Sequence, residues 1–501
     1  MRTRRPIWLA ALAALVTFLA IFGLWQRKNA ELPDSDAPGS PGGLFVPNQA
    51  QGTSLTGVGR ILGLKQPCTA WLLDIGGAPD TPALAVTSGR CAGAIDPAVV
   101  LTDVKVEGAS VEFNAFATLT SAGRPNVVPA AIDEVVWASV RGTDMAVLRL
   151  ATTYGDLTGL GVRPIAAASA PEQSAEILVA GVPVEGIESD QRFLRGSRCQ
   201  VGHTADVLEN GWLWHDLQAS DCSGILGGSE GSAVFNPAGA AVAMVTTTTI
   251  GAQDERACAL GRPCEVVAGG GTSAKDDTSY MVPVGGLAGC FPGGEFTPGG
   301  SCGLEDPATV VKAAASAGVA KPGSTVELRV DDPGQDEAEA ADQEGTAAEV
   351  RQGRLGVIDC RVPDDEDVAV PPDRSAAGSV YVVTLPTDEG FSLACVGPAG
   401  QPTELVIEAD GTPPDAGSIA LTTTQIESGV QVEPVFDPPE LSRFRWVSGP
   451  AGAIDCATAE GYVEYGGVPA TIQAADQPST VCVIGIDAAG NESVPAAIEV
   501  E

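Results

Sequence analysis

The stretch Gly227–Phe235 holds the residues of this chain that are best arranged for chemistry. It reads Gly-Gly-Ser-Glu-Gly-Ser-Ala-Val-Phe, a glycine-rich turn that opens into an apolar strand. A serine on such a turn is exposed, and neighbouring backbone N–H groups can converge on the atom that it contacts. Acyl-transfer enzymes present a nucleophile beside an oxyanion hole in this way. Gly-Ser turns before strands are also common, so this stretch alone does not decide the function.

Two upstream stretches supply candidate partners for the serine. Val86–Cys91 follows a strand-like run and ends in a cysteine. Gly142–Leu150 places Asp144 just before an apolar strand. A serine hydroxyl becomes a good nucleophile only when a base takes its proton, and an acid commonly orients that base.

In this order the three stretches resemble the trypsin/chymotrypsin-like serine peptidases. That family carries its base in T-A-x-H-C, its orienting acid in D-x-A-x-L and its nucleophile in G-D-S-G-G. The resemblance implies that Asp144 is the acid and Ser229 the nucleophile. It also implies an oxyanion hole made by the N–H groups of Gly227 and Ser229. The position of the base falls on Arg90.

An arginine cannot act as this base, because its pKa exceeds about 12 and its guanidinium has no acceptor atom. The two histidines, His203 and His215, both lie in the second half of the domain and are predicted as strand residues. No Ser-x-x-Lys arrangement offers a lysine base. The sequence therefore predicts that the enzyme is inactive.

The serine turn departs from the family pattern at two further positions. Gly228 stands where the family usually has aspartate, and Glu230 replaces the glycine after the nucleophile. A carboxylate there would oppose the negative charge that develops during acyl transfer. We expect Arg90 to pair with Asp144, with Glu230 as a further candidate partner; the alternative is that Arg90 points into solvent.

Composition favours a mainly β protein with several domains. The chain has 501 residues, 61 glycines and only 5% aromatic residues, and short β-branched runs are broken by Gly, Pro and Asp. The predicted fold is a trypsin-like double β-barrel followed by two β-sandwich modules, with one N-terminal transmembrane helix. A formal net charge of −36 argues against nucleic acid and anionic lipid as partners.

The twelve cysteines predict disulfides in an oxidising compartment. None has zinc-site spacing with histidine nearby, and we predict neither a metal nor a cofactor. The resemblance implies the pairs Cys68–Cys91 and Cys199–Cys222. Proximity suggests Cys258–Cys264 and Cys290–Cys302, and the repeat described below suggests Cys360–Cys395 and Cys456–Cys482.

The N-terminus predicts a membrane anchor. A basic start precedes the apolar run 7–25, which at 1.5 Å per residue would span roughly 28 Å, about the thickness of a bilayer core. No small-x-small cleavage site follows, which favours an uncleaved, single-pass anchor with its N-terminus in the cytoplasm. The alternative is a secreted protein whose signal is removed.

The C-terminal third predicts two repeated modules. Gly323-Ser-Thr-Val-Glu-Leu resembles Gly417-Ser-Ile-Ala-Leu, and each repeat contains a Gly-x-Ile-Asp-Cys motif, ending at Cys360 and at Cys456. The segment 481–493 resembles the last strands of bacterial immunoglobulin-like or fibronectin-III-like modules. The predicted organisation is a stub and anchor at 1–28, a linker at 29–55, the peptidase-like domain at 56–303, a possibly helical connector at 304–322, a module at 323–410 with an acidic insertion at 331–349, and a module at 411–501.

Three functions are compatible with these features. The first is a membrane-anchored, extracytoplasmic pseudopeptidase that binds protein or peptide in its former substrate groove. The second is an active serine endopeptidase that uses Ser229 with an unorthodox base. The third is a structural surface or adhesion protein, and bulky side chains filling the groove would favour it.

Overall fold

The computed structural model describes residues 42–45, 53–116, 127–252, 256–331, 349–362, 368–373, 379–398, 402–437 and 440–501. The chain divides into two compact units. The first comprises residues up to Val266 together with Thr272–Val310, and the second comprises Val267–Gly271 and Val311–Glu501. The predicted anchor at 7–25 lies outside the described residues, as do most of the linker and the acidic insertion.

The first unit is built almost entirely from antiparallel strands. Its strands are β1 (Gly43–Leu44), β2 (Val58–Leu62), β3 (Cys68–Leu72), β4 (Pro82–Thr87), β5 (Leu101–Lys105), β6 (Ser110–Phe113), β7 (Val128–Ser139), β8 (Met145–Thr153), β9 (Glu176–Gly181), β10 (Arg195–Glu209), β11 (Trp212–Ser220), β12 (Ala233–Phe235), β13 (Ala241–Thr248), β14 (Cys264–Val266), β15 (Thr272–Ala274) and β16 (Ser279–Pro283). A short helix, α1 (Tyr154–Gly159), follows β8 and begins at a capping box made by Thr153 and Asp156. Short 3₁₀ turns occur at Ser54–Gly57, Arg90–Ala92, Ser189–Gln191, Gly285–Cys290, Pro292–Gly294 and Gly300–Cys302.

Two rings of six strands close on themselves in this unit. In the first ring the order is β2, β3, β4, β8, β7, β6 and back to β2. In the second the order is β9, β10, β11, β16, β13, β12 and back to β9. Closure leaves a ring without free edges and encloses the side chains of alternate residues. The prediction of a mainly β protein is confirmed, and the structure contains a six-strand barrel.

Three apolar clusters fill this unit. Ile61, Phe113 and Leu148 belong to a cluster that draws mainly on the first ring. Val179 and Met281 belong to one from the second ring. A third cluster takes residues from both rings and joins them, so the residues carried on loops between the rings have a rigid support on both sides.

The first half of the second unit has two sheets around one core. Its strands are β17 (Lys312–Ala315), β18 (Val319–Ala320), β19 (Thr325–Asp331), β20 (Val350–Arg354), β21 (Val368–Ala369), β22 (Pro372–Asp373), β23 (Ser379–Thr384), β24 (Gly390–Val396) and β25 (Thr403–Ala409). One sheet has the order β17-β19-β23-β22 and the other β18-β25-β24-β20-β21. Residues such as Leu328 from the first and Ile407 from the second share a single apolar core.

The second half repeats this plan with fewer strands. Its strands are β26 (Leu421–Ile426), β27 (Gly429–Pro434), β28 (Arg443–Pro450), β29 (Val463–Glu464), β30 (Ala470–Gln473), β31 (Ser479–Ile486) and β32 (Ala496–Val500). The sheets have the orders β26-β27-β30 and β29-β28-β31-β32. Val430 from the first and Val483 from the second meet in one core.

The structure corrects two sequence predictions about this region. Residues 304–322 contain a 3₁₀ turn, Pro307–Thr309, and the strands β17 and β18, which pair with β19 and β25, so the connector is not helical. The motif at Gly323 precedes β19, the second strand of its sheet, whereas the motif at Gly417 precedes β26, an edge strand. A glycine turn marks the start of a strand but not its place in the sheet, so these two motifs are not equivalent. The cysteine motifs are equivalent, because Cys360 follows β20 and Cys456 follows β28.

All six predicted cysteine pairs are present as disulfides. They are Cys68–Cys91, Cys199–Cys222, Cys258–Cys264, Cys290–Cys302, Cys360–Cys395 and Cys456–Cys482. Over the described part of the chain, no helix combines the length and the hydropathy needed to cross a bilayer.

We predict that the disulfides Cys68–Cys91 and Cys258–Cys264 differ in their contribution to the free energy of unfolding. Replacing both cysteines of Cys68–Cys91 by serine should lower the free energy of unfolding by about 1 kcal/mol more than the same change at Cys258–Cys264, because the sequence separations are 23 and 6 residues and a longer loop loses more entropy when it is closed. Chemical denaturation of the two double variants measures the difference. An equal or reversed loss would contradict this expectation.

Candidate active site

The serine turn is bound to the first ring through Thr69. Thr69 N–H donates to the Glu230 carbonyl at 2.9 Å, and Thr69 Oγ1 donates to the Gly228 carbonyl at 3.2 Å. Gly231 has φ +85°, and a Cβ on it would lie 2.1 Å from the Thr69 carbonyl oxygen. Only glycine permits so close an approach. Ser229 is therefore fixed in place, with 3% of its surface exposed.

Both N–H groups predicted to form an oxyanion hole already have acceptors. Ser229 N–H donates to the Leu226 carbonyl at 3.0 Å, and Gly227 N–H donates to Glu185 Oε2 at 3.2 Å. A substrate oxygen would have to displace a carbonyl and a carboxylate from them. The oxyanion hole predicted at Gly227 and Ser229 is thus closed in this structure.

Asp144 is fully buried and accepts three hydrogen bonds. Ser88 Oγ donates to its Oδ2 at 2.6 Å, the Arg90 N–H donates to Oδ1 at 3.0 Å, and Arg90 Nε donates to Oδ2 at 3.2 Å. The residue lies directly before β8, and Arg90 lies in the 3₁₀ turn that follows β4, beside the Cys68–Cys91 disulfide. The contact between Arg90 and Asp144 that we expected is present.

The remaining donors of Arg90 reach the second ring. Nη1 donates to Glu209 Oε1 at 3.1 Å, and Nη2 donates to the Thr246 carbonyl at 2.7 Å. The guanidinium carbon lies 5.3 Å from the ring centroid of Trp212 and 5.1 Å from that of Trp214. Both distances are within the range of cation–π attraction. Arg90 is only 7% exposed, so it does not point into solvent.

More carboxylates than cations surround the Arg90 guanidinium. Burial acts to lower the pKa of Arg90, but the carboxylates of Glu209, Asp144 and Glu230 outweigh it and raise that pKa above its usual value. Arg90 is therefore held as a cation. Glu209 is also fully buried, and its second oxygen, Oε2, has no hydrogen-bond partner. One guanidinium thus compensates more than one buried carboxylate.

Glu230 contributes to this balance without a direct bond to Arg90. Its Oε2 accepts from Gly228 N–H at 2.8 Å. Burial raises the pKa of the Glu230 carboxyl above its usual range, and the nearby charge of Arg90 opposes that rise. The expected contact from Arg90 to Glu230 is replaced by the contact to Glu209.

The β10–β11 hairpin carries Glu209, Trp212 and Trp214, and it was not predicted from the sequence. The hairpin turns at Asn210-Gly211, where both residues have positive φ. It is bonded to loops of the first ring, because Trp212 Nε1 donates to the Ile95 carbonyl and Trp214 Nε1 donates to the Val140 carbonyl. The Asn-Gly pair between two strand-like runs was the signal for this hairpin.

The end of β13 is buried beside Arg90. Thr246, Thr247, Thr248 and Thr249, at the end of β13 and just beyond it, are all buried. Arg90 Nη2 bonds the Thr246 carbonyl, so the guanidinium is attached directly to this strand.

Neither histidine contacts Ser229. His203 Nε2 lies 2.7 Å from Glu265 Oε1, and His215 Nδ1 lies 3.1 Å from Asp206 Oδ2. Within the residues that the structure describes, no hydrogen bond involves the Ser229 hydroxyl, and no cluster of His, Cys, Asp or Glu side chains could hold a metal ion. Among the described residues, therefore, no hydrogen-bond acceptor is seated at the Ser229 hydroxyl to take its proton.

Comparisons with known proteins find similarity at the level of structure alone. No protein-family model matches the chain, and no curated protein does. Solved structures that are similar to it include the Rv3671c protease of Mycobacterium tuberculosis in an inactive form, at 14% identity over 50% of this chain and 96% of that one, with a TM-score of 0.29. Human heparin binding protein is 14% identical over 51% of this chain and 98% of that one, with a TM-score of 0.33.

A third neighbour is the scabies mite inactivated protease paralogue S-I1, at 12% identity over 48% of this chain and 94% of that one, with a TM-score of 0.31. The neighbours include serine proteases of the trypsin/chymotrypsin type.

We predict that Arg90→Met destabilises the protein by about 3–5 kcal/mol, because Asp144 and Glu209 would keep their buried charges without a cation. Adding Glu209→Gln should recover part of this loss, since it removes one of the two charges. Denaturant unfolding of the wild type, both single variants and the double variant forms the required cycle. Strictly additive effects would mean that the two side chains are not coupled.

A second prediction concerns pH. A carboxyl whose pKa is higher in the folded state destabilises the fold as pH rises from the unfolded value, about 4.3, through the folded value. Glu230→Gln should therefore raise the melting temperature at pH 7 to 8 and leave it unchanged near pH 4. Calorimetry at both pH values tests this, with Glu172→Gln, at an exposed position away from the serine turn, as the control. A gain of the same size at both pH values would rule out a titration effect.

Proposed function

We propose that this protein is a catalytically inactive, extracytoplasmic homologue of trypsin-like serine peptidases that acts by binding protein or peptide. The position of Arg90 supports this most directly. The guanidinium occupies the space beside Asp144 where the resemblance calls for an imidazole, and its bonds to Asp144, Glu209 and the Thr246 carbonyl hold it there. It has no lone pair with which to take the proton of Ser229.

The state of the serine turn supports the same proposal. A peptidase must stabilise the oxyanion that forms when the serine attacks, and this term is usually large. The N–H groups of Gly227 and Ser229 are engaged by Glu185 and Leu226 instead. An active peptidase with an unorthodox base would need both a base and an open hole, which makes it the weaker alternative.

We further propose that the chain lies outside the cytoplasm and is anchored by residues 7–25. The six disulfides favour an oxidising compartment. The apolar run and its basic flank are the basis for the anchor, and removal of this segment as a secretion signal is the alternative. The strongly acidic composition argues against nucleic acid as a partner.

The C-terminal third fits a pair of immunoglobulin-like or fibronectin-III-like modules. Each half of the second unit has two sheets around one core and one disulfide, which are features of such β-sandwiches. In this proposal the modules carry contacts to a protein partner of their own.

One observation favours a second candidate, a structural surface or adhesion protein. The pseudopeptidase hypothesis places the ligand in the former substrate groove. A structural role predicts instead that bulky side chains fill that groove. Arg90 bonds the Thr246 carbonyl, and Thr246 to Thr249 are buried. We therefore propose that the ligand contacts the outer surfaces of the protein and not the cleft beside Ser229.

Labelling with a fluorophosphonate probe tests the loss of catalysis. We predict that neither the wild type nor Arg90→His is labelled at Ser229, because restoring an imidazole does not free the two N–H groups of the closed oxyanion hole. The variant Ser229→Ala gives the background signal, and an active trypsin-like peptidase confirms that the probe works. Labelling of the wild type above the Ser229→Ala background would overturn the proposal, and labelling of Arg90→His alone would show that the hole opens readily.

A further inference from the structure

The edge strand β26 differs from the other sheet edges of the second unit. It spans six residues, Leu421–Ile426, and pairs with β27 on one side only. In the described part of this unit, the other edge strands have two to five residues. The strand β17, which lies at the corresponding edge in the first half, has four and begins with Lys312. A long edge is a template for further strand pairing.

The strand carries none of the features that usually protect such an edge. It reads Leu-Thr-Thr-Thr-Gln-Ile, without charge or proline, and its register with β27 is regular, without a bulge. The four central side chains, Thr422 to Gln425, are all exposed, so neither face of the strand is covered. Threonine and isoleucine favour extended structure. The strand is therefore ready to pair but is incompletely buried.

The register shows which backbone groups are free to pair. Val435 N–H donates to the Ala420 carbonyl, so Ala420 belongs to the residues that bond toward β27. Residues alternate in an antiparallel pair, so Thr422 and Thr424 also bond toward β27. Leu421, Thr423 and Gln425 direct their N–H and C=O groups outward.

We propose that β26 pairs in antiparallel fashion with β26 of a second copy of this chain. The outward groups allow a register centred on Thr423, in which Thr423 lies opposite its own copy and Leu421 lies opposite Gln425. Three residue pairs would then exchange about six N–H···O=C bonds. On the adjacent positions Thr422 faces Thr424 of the other copy, and threonine pairs of this kind are favourable across strands.

Charge favours this contact over other self-contacts. Two copies, each with a net charge of −36, repel wherever acidic surfaces meet. In this register Glu427 would lie about 27 Å from its copy, at about 3.4 Å per residue. Glu433, one strand further in on β27, would lie about 16 Å from its copy, three strand spacings across and two residues along. Both separations exceed the screening length of about 8 Å at physiological salt, so the uncharged edge lets the copies approach.

This inference does not depend on whether Ser229 is reactive. Dimerisation through β26 would present two N-terminal segments and two pairs of barrels in one assembly. For a protein that acts by binding, two linked copies engage a ligand surface with higher avidity than one copy.

Cysteine cross-linking of the full chain in detergent micelles tests the register. All twelve native cysteines are in disulfides, so Thr423→Cys adds a single free thiol. In the proposed register its Cα lies about 5.5 Å from its copy, within the range for a disulfide. Mild oxidation should give a covalent homodimer. The matched control is Thr471→Cys on β30, the opposite edge of the same sheet and also exposed, which should stay monomeric.

Three results would overturn the proposal: no cross-link at position 423, equal cross-linking at positions 423 and 471, or a cross-link from 423 to a different protein. The last would assign the edge to a foreign strand.

A backbone variant separates strand pairing from side-chain effects. Thr423→Pro removes an outward N–H that β27 does not use, and it should weaken dimerisation at least about tenfold in sedimentation experiments. Thr423→Val keeps that N–H and should leave the dimer intact. A Thr423→Pro protein that dimerises as well as the wild type would exclude pairing through this edge.

Discussion

The buried cation Arg90 links the two rings by hydrogen bonds. Arg90 comes from a turn of the first ring, and its side-chain hydrogen bonds go to Asp144 on the same ring and to Glu209 and the Thr246 carbonyl on the second. A buried carboxylate without a cation would destabilise the fold, so the guanidinium favours the positions that Asp144 and Glu209 take around it. The hairpin tip that carries Glu209 is held against the first ring by this ion pair and by the indole N–H groups of Trp212 and Trp214.

The occupied position of the base and the closed oxyanion hole are separate features with separate causes. Arg90 and its partners account for the first. The second depends on Glu185 and the Leu226 carbonyl, which accept the N–H groups of Gly227 and Ser229. Neither of these acceptors is among the hydrogen-bond partners of Arg90. Loss of catalysis in this site would therefore rest on two independent arrangements, one at the position of the base and one at the position of the oxyanion.

The sequence was sufficient for the features that depend on local motifs. The three short motifs located Arg90, Asp144 and Ser229, and the family resemblance, proximity along the chain and the repeat together gave the six disulfides. It failed where partners come from distant segments. Glu209 lies 119 residues from Arg90, and nothing in its neighbourhood indicated that it would face the guanidinium in place of Glu230. The sequence also gave no sign that the Gly227 N–H would donate to Glu185, because the acceptor of a turn N–H depends on what faces the turn. The Gly417 motif misled because a turn motif does not encode strand order.

The disulfide pattern has a consequence for how the chain matures. Every bridge joins one cysteine to the next cysteine in the sequence, and the largest separation is 35 residues. For a polypeptide translocated from its N-terminus, the correct partner of each unpaired thiol is the first one to emerge after it. Oxidation in order of emergence thus yields the native set of bridges, without the reshuffling that nested or crossed pairings require.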